Sequence, residues 1–314
     1  MATSGSVDFS VSRDNILTDA LIECGALGPD DSASSNQTTH AARRLNTMVK
    51  SWGAFGPSLW ARKTGYILPQ TGVNAIDLGP SGDHATLSYV QTTLSSDAAS
   101  GASTIVVTSV TGISTTYYIG VELDDDTMQW TTVNGAPSGT TVTLTATLTG
   151  AASSGNYVYC YQTKIQRPLR IVDAFVHNEV DDSDIPLEVA TKSEYDEQGD
   201  KTATGTPNML VYDPQLTDGT AYIHPRFENG RKSITIIFQR PFEDFDASGD
   251  TPDFPQEWYD TLVLQLAVRL MGPYGLPAQD RIELRSRAKE ALDLAQSNEP
   301  EEGSLYLQPD NGYK

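Results

Sequence analysis

The sequence predicts an α+β protein in which a helical bundle, built from both ends of the chain, joins an antiparallel β region and an inserted small all-β domain of sandwich or barrel type. Three observations lead to this prediction. Apolar residues recur at helical spacing near both ends of the chain. Short β-branched and aromatic runs, separated by turn residues, occupy the middle. The segment between Lys63 and Lys164 contains no lysine or arginine.

Two helices are predicted within the first 53 residues. Ser12 is a suitable N-cap for the first helix, and Gly25 ends it. The second ends at Gly53. An amphipathic helix of this length cannot bury its apolar stripe alone, so we expect both to pack against other helices. Their stripes are Ile16, Leu17, Ala20, Leu21 and Cys24, and Ala41, Ala42, Leu45, Met48, Val49 and Trp52.

Two more helices are predicted near the other end of the chain. Pro255 marks the start of the first, where its missing amide hydrogen costs nothing. A Gly275-Leu276-Pro277 link leads to the second, which frays at residues 299–303. We expect all four helices to pack together. The stripes here are Trp258, Leu262, Val263, Leu266 and Leu270, and Ile282, Leu284 or Arg285, Ala288, Ala291, Leu292 and Ala295.

The segment without basic residues is predicted to be a separate β module. It contains 16 threonines within residues 92–149, and turn pairs such as Asn134-Gly135 separate its β-branched runs. Short strands spaced about ten residues apart are typical of a small sandwich or barrel. The predicted strands are 104–108, 142–145 and 157–161 in this segment, and 66–68, 75–78, 169–176, 221–225 and 233–238 outside it.

These patterns predict four parts of the chain. Residues 1–83 form the N-terminal part of a helical core and carry a first β-hairpin. Residues 84–166 form the inserted all-β domain. Residues 167–297 supply a β region and the C-terminal helices that complete the core, and residues 298–314 are an extended tail.

Composition excludes several classes of protein. The chain has 21 basic and 41 acidic residues, a net charge of −20, which argues against a phosphate-binding surface. No apolar stretch approaches the roughly 20 residues of a membrane span, and the first residues do not resemble a signal peptide. Two cysteines, Cys24 and Cys160, cannot form a disulfide framework, so we expect buried free thiols in a protein made in a cytoplasm.

No catalytic, cofactor or metal site is predicted from motifs, because HExxH, GxSxG, P-loop and GxGxxG patterns are absent. His177 and Glu179 share one face of a predicted strand, which favours a surface pair over a metal or acid–base site. The segment from Asp244 to Gly249 begins like an EF-hand loop, but Pro255 stands where the closing glutamate belongs, so we predict a polar loop.

An apolar triplet, Leu305, Tyr306 and Leu307, lies in the predicted tail. It could dock onto a partner by strand addition or in a pocket. It could equally fold back over its own subunit, and the sequence leaves both possibilities open.

Eight short segments carry a family resemblance through their order and spacing. Together they resemble the tail accessory factors of short-tailed phages, the head-completion or portal-adaptor proteins. The likeness covers most of residues 10–83 and 167–297, and residues 84–166 stand as an insertion. The segments are RDNILTDAL (13–21), LNTMVKSW (45–52), SLW (58–60), RPLRI (167–171), YDP (212–214), RPFEDF (240–245), FPQEWY (254–259) and LAVRL (266–270).

The resemblance implies a structural virion protein at the head-to-tail interface, without enzymatic activity. Its copies would assemble as a ring of twelve under the portal, extend the DNA channel and help retain packaged DNA. The ring would offer a platform to the tail hub or nozzle and to fibre proteins. DNA would pass without specific binding along an acidic wall, and no membrane is involved. The triplet Leu305, Tyr306 and Leu307 is the candidate portal contact.

Two alternatives stay open. The chain could be a tail-associated peptidoglycan hydrolase whose acidic residues supply a catalytic pair, since the separation that defines such a pair is spatial. It could also be a glycan- or surface-binding tail component that uses the β insert. In that case Trp130, Tyr117 and Tyr118 would stack on sugars, whereas core packing is the other interpretation of these aromatics.

Overall fold

The computed structural model of the protein describes residues 5–53 and 59–297. The contacts within the chain divide it into two units. The helical unit comes from both ends of the chain, up to Ala61 and from Phe242 onward, and the β unit is Arg62–Pro241. The predicted portal-contact triplet, Leu305, Tyr306 and Leu307, lies outside the described residues.

The described part of the helical unit contains four α-helices: α1 (Arg13–Glu23), α2 (Ser35–Trp52), α4 (Tyr259–Leu270) and α5 (Ala278–Ser297). The side chain of Ser12 accepts a hydrogen bond from the backbone N–H of Asn15 at the start of α1, which confirms the predicted N-cap. A short 3₁₀ turn, Gln256–Trp258, precedes α4 after Pro255. Among the described residues, no helix is both long and apolar enough to cross a membrane.

One hydrophobic core joins the four helices, so the predicted packing of the first helix pair with the last is confirmed. The aromatic rings of Trp60, Phe242 and Phe254 pack on one another in this core, with Trp60 stacked on Phe242 at 5.1 Å between ring centroids. One predicted core position is wrong: Ile282 is 63% exposed, and Leu284 is the buried residue of that turn. Fully buried members of the core are Ala20, Leu21, Cys24, Ala41, Leu45, Met48, Val49, Ala61, Leu262, Leu266, Ala267 and Leu270.

The β unit is built on an eight-stranded sheet. Its strands stand in the order β2, β14, β13, β11, β10, β16, β1, β3, and the β11–β13 pair is parallel. In chain order the strands are β1 (Arg62–Ile67), β2 (Ala75–Leu78), β3 (Ala85–Thr86), β10 (Arg170–Asn178), β11 (Ser183–Val189), β13 (Met209–Asp213), β14 (Gly219–His224) and β16 (Lys232–Gln239).

The two edges of this sheet approach each other, because β2 and β3 are consecutive in the chain. The backbone N–H of Asp83 donates to the carbonyl oxygen of Asp77 across the connection, at 2.6 Å. The sheet is therefore a nearly closed barrel, and its apolar side chains fill the inside. The core includes Ile67, Ile76, Leu78, Val176, Leu210, Ala221, Ile223, Ile234, Ile236 and Phe238.

The threonine-rich segment between β3 and β10 folds around a core of its own. It holds a four-stranded sheet in the order β4, β9, β6, β7 and a two-stranded sheet of β5 and β8. These strands are β4 (Val90–Thr93), β5 (Thr104–Val106), β6 (Tyr118–Glu122), β7 (Met128–Thr132), β8 (Thr141–Thr143) and β9 (Tyr157–Tyr161). A short helix α3 (Lys192–Asp196) and a β12–β15 pair (Thr204–Gly205 with Arg226–Phe227) complete the β unit.

Aromatic side chains join this segment to the barrel. The indole N–H of Trp130 donates to the carbonyl oxygen of Pro69 at 3.0 Å. The hydroxyl of Tyr159 donates to the carbonyl oxygen of Gly230 at 2.7 Å. Leu68 is fully buried beside Tyr159 and Tyr161. Aromatic residues of the segment therefore form much of its interface with the barrel.

The predicted fold class is wrong. The described residues form sixteen strands and five α-helices, so the protein is mostly β and a helical bundle does not dominate it. Helical periodicity is read within one segment, whereas the barrel depends on pairs such as β1 with β16 that lie far apart in sequence. The predicted hairpin is also not formed, since β2 pairs with β14 at the opposite edge from β1. The division of the chain at residues 84 and 166 describes an insertion relative to other proteins, which the contacts within this chain do not test. These boundaries stay a prediction.

Candidate functional site

A groove of about 480 Å³ lies on the outer face of the barrel. Strands β1, β16 and β10 place Tyr66, Thr235 and Phe175 in one row, because Thr235 is the register partner of both aromatic residues. Residues 87–89, which follow β3, form a further wall. The groove therefore draws its lining from the barrel and from the start of the threonine-rich segment.

Aromatic rings form the apolar part of the groove. Tyr89 meets Tyr66 edge-to-face, with 5.0 Å between ring centroids and an interplanar angle of 73°. Tyr66, Tyr89 and Phe175 are all half-buried, and Leu87 is 43% exposed beside them. Tyr89 is fixed from behind, since its ring packs on the buried Tyr159 at 5.9 Å.

A histidine between carboxylates forms the polar end of the groove. The β10–β11 register pairs His177 with Asp184, and the imidazole Nδ1 lies 2.9 Å from Asp184 Oδ1. The other ring nitrogen, Nε2, lies 3.7 Å from Glu179 Oε2 and 3.8 Å from Asp182 Oδ1. Asp184 is 58% exposed, so its carboxylate is accessible at the mouth of the groove.

Glu179 lies beneath this end of the groove with a side chain only 9% exposed. Its Oε1 atom accepts hydrogen bonds from the hydroxyl of Tyr89 at 2.9 Å and from that of Ser233 at 3.3 Å. Burial raises the pKa of Glu179, and these hydrogen bonds together with His177 oppose the rise. The prediction of a surface pair for His177 and Glu179 is therefore wrong in one respect, because the glutamate is buried in a hydrogen-bonded network.

Part of this site is recognisable in the sequence, and part of it is not. His177 and Glu179 are recognisable from their spacing of two residues, although β10 ends at Asn178, between them. The contribution of Asp184 depends on the β10–β11 pairing, for which the acidic turn between the two strands is the local signal. No signal within the sequence brings Tyr66 and Tyr89 to Phe175, because β1 and β10 meet only through β16.

The aromatics proposed for sugar stacking in the threonine-rich segment are used in packing. Trp130 lies face-to-face on His84 at 4.0 Å between ring centroids, and Tyr118 stacks on Tyr161 at 4.9 Å. Tyr117 packs against the core of the segment. These contacts confirm the packing interpretation for all three residues.

The other candidate features have structural roles. The carboxylate of Asp250 accepts hydrogen bonds from the backbone N–H groups of Asp246 and Ala247, so the acidic loop stabilises its own turn. In the described part of the chain, no group of three or more His, Cys, Asp or Glu side chains is arranged to hold a metal ion. Cys24 and Cys160 are buried free thiols, as predicted, and burial raises the pKa of Cys160 to about 12.

Comparisons with known proteins found a partial structural likeness. The chain matches no protein-family profile and no curated protein. Among solved structures it has a partial likeness to the Gp54 tailspike of Acinetobacter baumannii bacteriophage AP22, solved in complex with A. baumannii capsular saccharide. The identity is 18%, over 25% of this chain and 15% of the tailspike chain, with a TM-score of 0.21. A likeness of that extent assigns neither a fold nor a function to this protein.

Proposed function

We propose that this protein is a structural component of a phage virion that acts as a head-to-tail adaptor beneath the portal. The resemblance to tail accessory factors depends on segments at both ends of the chain. The observation that supports it is the single core shared by α1, α2, α4 and α5, whose sequences are separated by the whole β unit. A ring built from copies of this chain would extend the DNA channel and offer its β unit to tail hub or fibre proteins.

The charge of the chain is consistent with a DNA channel. A net charge of −20 repels the phosphate backbone, so DNA would pass without adhering. The proposal includes no enzymatic activity and no cofactor. In this proposal the triplet Leu305, Tyr306 and Leu307 contacts the portal. The partners of each copy are the portal and the neighbouring copies of this chain in the ring.

Composition of the virion tests the adaptor function. DNA-filled particles are purified, and this chain is quantified against the portal protein by mass spectrometry. Equal copy numbers are expected, and absence of the chain from the particles would overturn the proposal. Replacing Leu305, Tyr306 and Leu307 by alanine should lower the copy number, whereas Leu216→Ala, at a side chain that is 95% exposed, is the matched control and should leave it unchanged.

A second candidate function is binding of a surface saccharide by a tail component. The groove favours it, because aromatic rings and an exposed carboxylate line the same surface. The hydrolase alternative has less support. Glu179 and Asp184 approach different nitrogens of the same imidazole, so His177 and not an open cleft lies between these two carboxylates. Zymography on peptidoglycan is the test, and a clear zone of lysis would restore that alternative.

A further inference from the structure

The outer groove of the barrel has two kinds of surface, and each is complementary to one side of a sugar ring. A pyranose has an apolar face of C–H groups and an edge of hydroxyl groups. In the groove, the rings of Tyr66 and Phe175 lie in one row across three strands and offer apolar contact. His177 and Asp184 follow at one end, and the hydroxyls of Thr64 and Ser88 line the groove as well.

The size and rigidity of the groove suit a short oligosaccharide. Its volume of about 480 Å³ falls within the range of about 300–1,000 Å³ found for small-molecule sites. Six of its lining residues lie on the paired strands β1, β10, β11 and β16. Tyr89 is held by contacts with Tyr66, Tyr159 and Glu179. A site held in this way loses little conformational entropy when a ligand binds.

The charge of the groove selects among saccharides. Asp184 is exposed at the mouth, and Asp182 and Glu179 approach the same imidazole from its other side. None of the described lining residues is a lysine or an arginine. A ligand carboxylate or sulfate placed near Asp184 would meet a like charge, whereas an amino group would meet an opposite one.

We infer that this groove binds a neutral or amino-bearing oligosaccharide and discriminates against acidic ones. The inference rests on the second proposed function, saccharide binding, and is independent of the adaptor function. In the complex, Phe175 and Tyr66 stack on sugar faces. Asp184 accepts hydrogen bonds from two neighbouring hydroxyls or from an ammonium group. The buried Glu179 positions Tyr89 and does not contact the sugar.

The test is isothermal titration of the full-length chain with three tetrasaccharides: one of N-acetylglucosamine, one of glucosamine and one of galacturonic acid. The neutral and amino probes should bind, and the acidic probe should bind at least about tenfold more weakly. Phe175→Ala should weaken binding of the neutral probe by about tenfold or more. Phe9→Ala is the matched control, an aromatic of the helical unit that is 67% exposed, and it should change nothing.

Asp184→Asn separates the charge from the shape of the groove. Asparagine keeps the volume and can still accept a hydrogen bond from His177, so this variant also serves if Phe175→Ala fails to fold. This variant should bind the neutral probe as the wild-type chain does. Its affinity for the acidic probe should lie within a few-fold of its affinity for the neutral one. Acidic and neutral probes bound equally by the wild-type chain would overturn the inference and leave saccharide binding in place. Absence of binding to all three probes would overturn both.

Discussion

Acidification should destabilise the β unit through one half-buried imidazole, that of His84. The ring lies face-to-face on Trp130 at 4.0 Å, and its Nδ1 atom shares a hydrogen bond with the hydroxyl of Tyr161 at 2.9 Å. Burial, with a smaller contribution from the positive charge of Lys164, lowers the pKa of His84 from 6.5 to about 3. The folded protein therefore holds this imidazole neutral over a range in which the unfolded chain protonates it.

The size of the effect follows from the two pKa values. A histidine whose folded pKa is depressed contributes stability above its unfolded pKa and loses it as the pH falls toward the folded value. Each pH unit below 6.5 costs about 1.4 kcal/mol of unfolding free energy. Between about pH 7 and about pH 5 the loss attributable to His84 is therefore about 2 kcal/mol.

The chain supplies its own reporter, since Trp130 is the sole tryptophan within residues 62–241. Protein labelled with 5-fluorotryptophan gives a ¹⁹F signal for Trp130, assigned with Trp130→Phe, and urea unfolding is followed at both pH values. His84→Phe keeps a ring against Trp130 but cannot be protonated. Its loss of the Tyr161 hydrogen bond affects both pH values alike and cancels in the comparison.

The wild-type protein should lose about 2 kcal/mol more than His84→Phe on acidification, because the other titrating groups are common to both proteins. Equal losses in the two proteins would refute the reasoning, since they would mean that the folded state protonates His84 as readily as the unfolded chain does.

Three further predictions concern other parts of the structure. Burial raises the pKa of Glu179 above its ordinary 4.5. The wild-type protein should therefore lose stability relative to Glu179→Gln as the pH rises through and beyond 4.5, measured by urea unfolding. A difference between the two urea midpoints that does not change with pH would contradict this prediction. Gly120→Ala places a Cβ atom 2.8 Å from the Trp130 ring and should cost about 1–3 kcal/mol in urea unfolding of the β unit, and an unchanged midpoint would disprove the clash. In the helical unit, calorimetry should show a loss of about 2–5 kcal/mol for Leu45→Ala and less than about 0.5 kcal/mol for Ile282→Ala; similar losses would contradict the observed core.

The helices show what local patterns can predict. Ser12 as an N-cap, the stripe from Ile16 to Cys24 and the end of α2 at Trp52 all agree with the structure, because each depends on residues within a few turns of one another. The misplaced Ile282 shows the limit. In α5 several rotations of the helix offer an apolar stripe, and only the position of α4 selects the face that Leu284 and Ala288 occupy.

The candidate site shows the opposite case. Its polar half, His177 with Glu179, is visible in the sequence as a spacing of two residues at the end of a predicted strand. The burial of Glu179 is not visible in the sequence, because Tyr89 and Ser233, which donate hydrogen bonds to its carboxylate, come from distant segments of the chain. The aromatic half depends on the central position of β16, whose residue Thr235 is paired with both Tyr66 and Phe175.

The sequence by itself determined the four long helices, their mutual packing, the β character of the segment without basic residues and the buried state of both thiols. These follow from periodicity, composition and end signals, which act over a few residues. Only the tertiary structure decided that the protein is mostly β, that eight strands form one nearly closed barrel and that a groove with aromatic and acidic sides lies on its outer face. Such features depend on which distant strands become neighbours, and that choice depends on the packing of the whole chain rather than on any one segment.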